Sequence, residues 1–153
     1  MSASFEIALA LANDGYRVFP LEPNSKFPAI VAWQINATTD PETIHRWWHC
    51  PVMGWPANYG VGVATGKGLL VIDIDVKHGG LENLKILEDT LGALPRGLAV
   101  RTPSGGLHIY LKCEGPIANS ASKLAPGIDT RGDGGYVVGP GTRIDEIAYE
   151  VLK

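Results

Sequence analysis

The segment Leu69-Leu-Val-Ile-Asp-Ile-Asp75 ends an apolar run in two carboxylates, Asp73 and Asp75, placed at i and i+2. Farther along stand Ser104-Gly105-Gly106 followed by His108, and then Asp129 with Arg131. Lys26 lies between prolines in Pro23-Asn-Ser-Lys-Phe-Pro28. Acids two residues apart on a strand share one face at a backbone separation of about 6–7 Å, so their oxygens can converge on one or two hard cations. An imidazole, a guanidinium and a third acid placed alike supply what phosphoryl transfer requires. Carboxylates hold a divalent metal, the metal polarises phosphate oxygens, and cationic or N–H donors neutralise the remaining charge. The Ser104-Gly105-Gly106 turn offers backbone amides as an anion nest, with the Ser104 hydroxyl beside them.

Each group has a plainer reading. Asp73 and Asp75 can be a solvated strand end, and His108 a hydrogen-bonded residue near the core. Asp129 with Arg131 can be a surface ion pair worth under about 1 kcal/mol, the Ser-Gly-Gly only a turn, and Lys26 an ordinary loop lysine. The similar placement of three polar pairs on three strands favours a shared functional face.

Side-chain alternation places these groups. Leu70, Ile72 and Ile74 point one way and Val71, Asp73 and Asp75 the other. Leu107, Ile109 and Leu111 alternate with His108 and Tyr110, and Ile128 and Thr130 alternate with Asp129 and Arg131. Glycine-rich turns predict three hairpins: 60–65 with 69–75 around Gly66-Lys67-Gly68, 98–102 with 107–111 around Pro103 to Gly106, and 128–131 with 136–138 around Gly132 to Gly135. Short strands are expected at 16–19 and 148–152, and a loop over 116–126.

Three helices are expected. The first runs over 5–13, capped by Ser4, with Phe5, Ala8, Leu9 and Ala12 as its apolar face. The second is capped by Thr39 or Asp40, with Pro41 in its first turn, Glu42 placed for a capping box with Thr39, and Pro51 as its stop. The third spans 81–91 and stops at Gly92. His45 and His49 have metal-ligand spacing but lack the Glu of H-E-x-x-H, so a partly buried helix face is favoured over zinc. Gly66-Lys67 is not a phosphate-binding P-loop, because Val61 stands where its first glycine belongs and Gly68 where Ser or Thr is needed.

The chain has 153 residues, 45% hydrophobic and 19% charged, which excludes a disordered chain and fits one domain with a real core. The 19 glycines and 11 prolines predict many turns. A net charge of −3 provides no global basic field for a polyanion, so any nucleic-acid contact must be local or assisted from elsewhere. Cys50 and Cys113 fall in no metal-binding spacing, and no basic leader or membrane-length apolar run is present. These features point to the cytoplasm and to no membrane contact.

The ordered set Gly15-Tyr-Arg-Val-Phe-Pro20, Lys26-x-Pro28, the Trp47-Trp48 helix, Asn58-Tyr-Gly60, Val71-Ile-Asp-Ile-Asp75, Thr102-Pro-Ser-Gly-Gly-Leu-His108 and Gly127-Ile-Asp-Thr-Arg-Gly132 resembles the bifunctional primase-polymerase (prim-pol) domain. That family belongs to the archaeo-eukaryotic primase superfamily and is typical of plasmids, phages and prophages. The resemblance covers about Ala8 to Tyr149.

It implies an α+β catalytic core, with a largely antiparallel or mixed sheet containing an RRM-like element. Helices are implied on one face of that sheet, beside a small N-terminal α/β unit. It implies Asp73, Asp75 and Asp129 as ligands of Mg2+ or Mn2+. His108 would contact the incoming nucleotide's phosphates, Ser104, Gly105 and Gly106 would line that pocket, and Arg131 and Lys26 would touch phosphate or template. Implied partners are nucleoside triphosphates, a single-stranded DNA template and a fused or associated helicase.

Three positions depart from the family pattern. Asp75 stands where relatives often have Glu, and Gly139-Pro-Gly-Thr142 stands where a Pro-Pro-Ser-like turn is common. The sequence also stops soon after Tyr149, where relatives continue, so residues 1–153 are expected to be a single catalytic domain or a C-terminally truncated piece of a longer protein. Two rival functions are a metal-dependent phosphohydrolase or nuclease using the same acids on water, and a prophage-derived module that binds nucleotide or DNA without turnover.

Overall fold

A computed structural model of the chain describes residues 3–49, 58–95 and 97–153. In chain order the elements are α1 (Ala3–Asn13), β1 (Val18–Leu21), α2 (Trp33–Asn36), α3 (Pro41–His49), β2 (Gly60–Ala64) and β3 (Leu69–Ile74). A 3-10 turn (Val76–His78), α4 (Gly80–Leu91), β4 (Ala99–Arg101), β5 (Leu107–Lys112) and β6 (Ser120–Ala125) follow. The chain continues with β7 (Ile128–Arg131), β8 (Tyr136–Val138), β9 (Arg143–Ile144), β10 (Ile147–Ala148) and β11 (Glu150–Val151). The fold is α+β with antiparallel sheets. Two compact units are formed, Met1–Ala64 with Tyr136–Tyr149 and Thr65–Gly135 with Glu150–Lys153. None of the helices among the described residues is long and apolar enough to cross a membrane.

In the first unit β2 lies between β1 and β8. Pro20, which has no N–H to donate, sits in an edge strand, β1, where a missing ladder bond is tolerated. Phe19 pairs with Gly62 and lies flat on it, stacked on Trp33 at 5.0 Å, with Tyr136 edge-on to both rings at 5.4 and 4.8 Å. α1 buries Phe5, Ala8, Leu11 and Ala12, so Leu11 takes the place expected of Leu9. Helix α1 starts one residue before Ser4, which therefore lies inside the helix; Ser4 Oγ accepts a hydrogen bond from Trp48 Nε1 at 3.0 Å.

Of the two cap candidates for α3, Asp40 serves. Its carboxylate accepts the Thr43 amide at 3.0 Å and the Thr43 hydroxyl at 2.6 Å, and these bonds hold its pKa below the usual carboxylate value. Ile44 and Trp48 are fully buried. His45 and His49 stack on each other and meet the Phe5 ring edgewise, a packed helix face. Pro51, expected as the stop of α3, and Cys50 lie outside the described residues.

The second unit is built on a six-stranded sheet in the order β11-β4-β5-β3-β7-β6. On one face Ile72, Ile74 and Ile128 form a buried cluster, joined by Leu70, Leu107, Ile109 and Leu111 from the sheet and by Leu84 and Leu87 from α4. The alternation expected of β3, β5 and β7 is therefore the one that directs their apolar sets toward the helix.

Two of the three expected hairpins do not form. β2 pairs with β1 and β8, whereas β3 pairs with β5 and β7. The Gly66-Lys67-Gly68 turn is closed by a single pair, Gly66 with Leu69, and pairing stops there because Thr65 is held elsewhere. Its amide donates to the Gly135 carbonyl at 2.9 Å and its hydroxyl to the Gly132 carbonyl at 2.6 Å. For the same reason β7 and β8 enter different sheets, and only β4 with β5 makes the hairpin as expected. The stretch 116–126, expected as a loop, contains β6, whose register on β7 is irregular. The expected last strand is divided into β10 and β11.

A methyl group at position 62 would lie 2.5 Å from Phe19 Cζ, closer than carbon atoms can approach. Gly62→Ala is therefore expected to destabilise the protein by about 1–3 kcal/mol, the usual range for forcing extra volume into a packed core. Calorimetry should show this as a Tm lowered by roughly 3–10 °C.

Candidate active site

Antiparallel register sets the site. Asp73 on β3 lies directly opposite His108 on β5 and directly opposite Asp129 on β7, so three polar residues form one row across three strands. In the neighbouring row Val71 faces Tyr110 and Arg131. His108 Nε2 is 3.5 Å from Asp73 Oδ1. Arg131 reaches both acids, 3.8 Å from Asp73 Oδ2 and 3.8 Å from Asp129 Oδ2.

These separations exceed hydrogen-bond length, so the guanidinium neutralises charge without locking either carboxylate. The Asp73 and Asp129 side chains are 26% and 27% exposed, open enough for a ligand to reach. His108 is nearly buried at 7% and forms the floor. Two carboxylates and one guanidinium leave a net negative charge among oxygen donors, and like charges directly opposite across a sheet repel. Such a set suits a hard divalent cation, which takes one or two carboxylates and completes its shell with phosphate oxygens and water.

Asp75 does not extend this row. The strand ends at Ile74, and Asp75 caps the following 3-10 turn. Its Oδ1 accepts the Lys77 amide at 2.8 Å, and its Oδ2 meets His78 Nδ1 at 2.6 Å. Its carboxyl pKa is lowered, first by the His78 contact and then by the Lys77 amide. The i, i+2 spacing places Asp75 past the last strand position, where its own turn engages the side chain. Among the described residues no group of three or more His, Cys, Asp or Glu side chains is arranged to hold a metal ion.

The Ser104-Gly105-Gly106 turn packs against the end of β3. A side chain at position 106 would strike the Ile74 carbonyl oxygen at 2.2 Å, so glycine is required there. Its amides are already engaged: Gly105 N–H donates to the Thr102 carbonyl at 2.9 Å and Gly106 N–H to Thr102 Oγ1 at 3.1 Å. Of the groups expected to form an anion nest, the Ser104 hydroxyl, 3.2 Å from Thr102 Oγ1, remains on an exposed turn.

The ladder thus brings Asp73, His108, Asp129 and Arg131 together, with the Ser104 turn at the end of β3 and Asp75 held by its own cap. Lys26 belongs to the first unit, where its carbonyl accepts a hydrogen bond from the Tyr136 hydroxyl at 2.7 Å. Sequence reasoning did not single out His78, Thr102 or Ser122. The Ser122 amide donates to Asp129 Oδ1 at 2.9 Å, and the Ser122 hydroxyl accepts from the Gly127 amide at 3.3 Å. The Asp75-x-x-His78 spacing is a readable signal for the first of these contacts. The others depend on backbone groups that composition does not mark.

The family model described as "Bifunctional DNA primase/polymerase, N-terminal" matches residues 8–153. No curated protein matches the chain.

The lowered Asp75 pKa fixes a direction of pH dependence. A carboxyl whose folded-state pKa lies below its ordinary 3.8 adds stability that is fully present above that value and is lost as pH falls through the depressed one. Wild type is expected to melt above Asp75→Asn at neutral pH. Thermal unfolding of both proteins should show that gap closing as pH falls below the ordinary carboxyl pKa.

Proposed function

The chain belongs to the bifunctional DNA primase/polymerase N-terminal family, and from that premise we propose that residues 1–153 act as one catalytic domain that joins nucleotides on a single-stranded DNA template. The observation that supports this most is the row His108–Asp73–Asp129, with Arg131 shared between the two acids. In this reading Asp73 and Asp129 hold Mg2+ or Mn2+ in a two-metal arrangement. Asp75 joins them by giving up its His78 contact, which is exposed and therefore weak in water. The bound metal supplies Lewis acidity, polarising the α-phosphate and lowering the pKa of the attacking hydroxyl.

The protein's own groups do the rest. His108, fixed at the floor, donates a hydrogen bond to a phosphate oxygen of the incoming nucleoside triphosphate. Arg131 balances negative charge as the primer hydroxyl attacks the α-phosphate and pyrophosphate leaves. Ser104 borders the phosphates from its turn. The reaction fits phage or plasmid replication, with a fused or associated helicase opening the duplex.

The test is binding of a deoxynucleoside triphosphate with and without Mn2+, for wild type and for the Asp73→Asn, Asp75→Asn double variant. Metal-dependent binding that the double variant loses by at least about 100-fold is the expected outcome, as for removal of a principal electrostatic stabiliser. Primer extension then separates the alternatives. Phosphate-ester cleavage without polymer growth would make the site a hydrolase, and binding without any turnover would make it a nucleotide-holding module.

A further inference from the structure

Four residues of β6 stand opposite a single residue of β7. Ser120 pairs with Thr130 and Ala125 with Ile128, so 121–124 arch over Asp129 alone. An ordinary bulge places two residues opposite one, so this arch is larger than regular pairing or a simple bulge needs. All four arch residues are exposed, and they add nothing to the core. Ser122 adopts a left-handed backbone (φ 52°), which is strained for a residue with a side chain.

The strained residue makes two contacts. Its amide N–H donates to Asp129 Oδ1 at 2.9 Å, and its hydroxyl accepts the Gly127 amide at 3.3 Å. Gly127 in turn accepts the Asp75 amide on its carbonyl at 2.7 Å. A chain of hydrogen bonds therefore runs from the backbone of Asp75 through Gly127 and Ser122 to the Asp129 carboxylate. It leaves Asp129 Oδ2, the oxygen that faces Arg131, as the one not taken by the arch.

We propose that Ser122 is a positioning residue for the metal-holding acids: its amide fixes Asp129 so that this side chain presents one oxygen, Oδ2, toward Asp73 and the cation. The inference rests on the nucleotidyl-transfer reading of the same site. A donor on one carboxylate oxygen fixes the rotamer, and the loss of such supporting contacts commonly weakens metal binding by about 10–100-fold. The plainer role for an irregular edge strand is to block pairing with other chains. That role requires no contact with Asp129.

The experiment is an amide-to-ester replacement between Ala121 and Ser122, which removes the N–H donor while keeping every side chain, with Mn2+ affinity and thermal unfolding both measured. Mn2+ binding weakened about 10-fold or more with Tm nearly unchanged is the expected result. Ser122→Gly keeps the N–H and suits the left-handed backbone but loses the hydroxyl that accepts the Gly127 amide, so it should bind Mn2+ more tightly than the ester variant. In an Asp129→Asn background the ester should cause no further loss. An ester variant that binds Mn2+ within about twofold of wild type overturns the proposal, as does one that loses affinity only together with cooperative unfolding. A wild type that binds no Mn2+ would instead overturn the metal-holding reading of the acids, and this proposal with it.

Discussion

The register of β3 between β5 and β7 is the constraint on which the site depends. Side chains alternate with a period of two, so a slip of one residue would turn Asp73 toward α4 and Ile72 and Ile74 away from it. Full burial of a large aliphatic side chain stabilises by about 1.5–3 kcal/mol. A slipped strand would lose several such terms at once and place carboxylates in an apolar layer. The apolar face therefore specifies the polar one. Ile72, Ile74 and Ile128 lock the alignment that puts His108, Asp73 and Asp129 in a row.

That alignment maintains an electrostatic tension. Two acids directly opposite each other in adjacent strands repel, and Arg131 offsets this from 3.8 Å on each acid without a hydrogen bond to either. The sheet tolerates the repulsion because the acids are partly solvated and Ile72, Ile74 and Ile128 are buried on the opposite face.

The composition of each site strand was legible in the sequence because side chains alternating between a helix-packed face and the site face leave a period-two signature. Partnership between strands was less legible. Gly66-Lys67-Gly68 and Gly132 to Gly135 have hairpin composition, yet whether the next strand folds back depends on where Thr65 finds its hydrogen bonds. No local pattern records that. β6 was unreadable because its four middle residues are exposed, so burial leaves no alternation in them. For the site, Asp73, His108, Asp129 and Arg131 could be grouped from spacing. The diversion of Asp75 into a cap depends on the strand ending one residue earlier, a distinction finer than sequence pattern resolves.

The division of the chain into interleaved segments bears on how it reaches its folded state. β8 completes the three-stranded sheet of the first unit, but the whole Thr65–Gly135 segment is synthesised between β2 and β8. On the ribosome, β1 and β2 must wait with an open edge until β8 emerges, while the intervening segment can collapse on its own local hairpin and helix. Pairings between strands distant in sequence carry a large loop-closure entropy and form late. The unit that begins the chain thus cannot close until most of the second has been made. Its unpaired β2 edge is the surface most exposed to misassociation during synthesis.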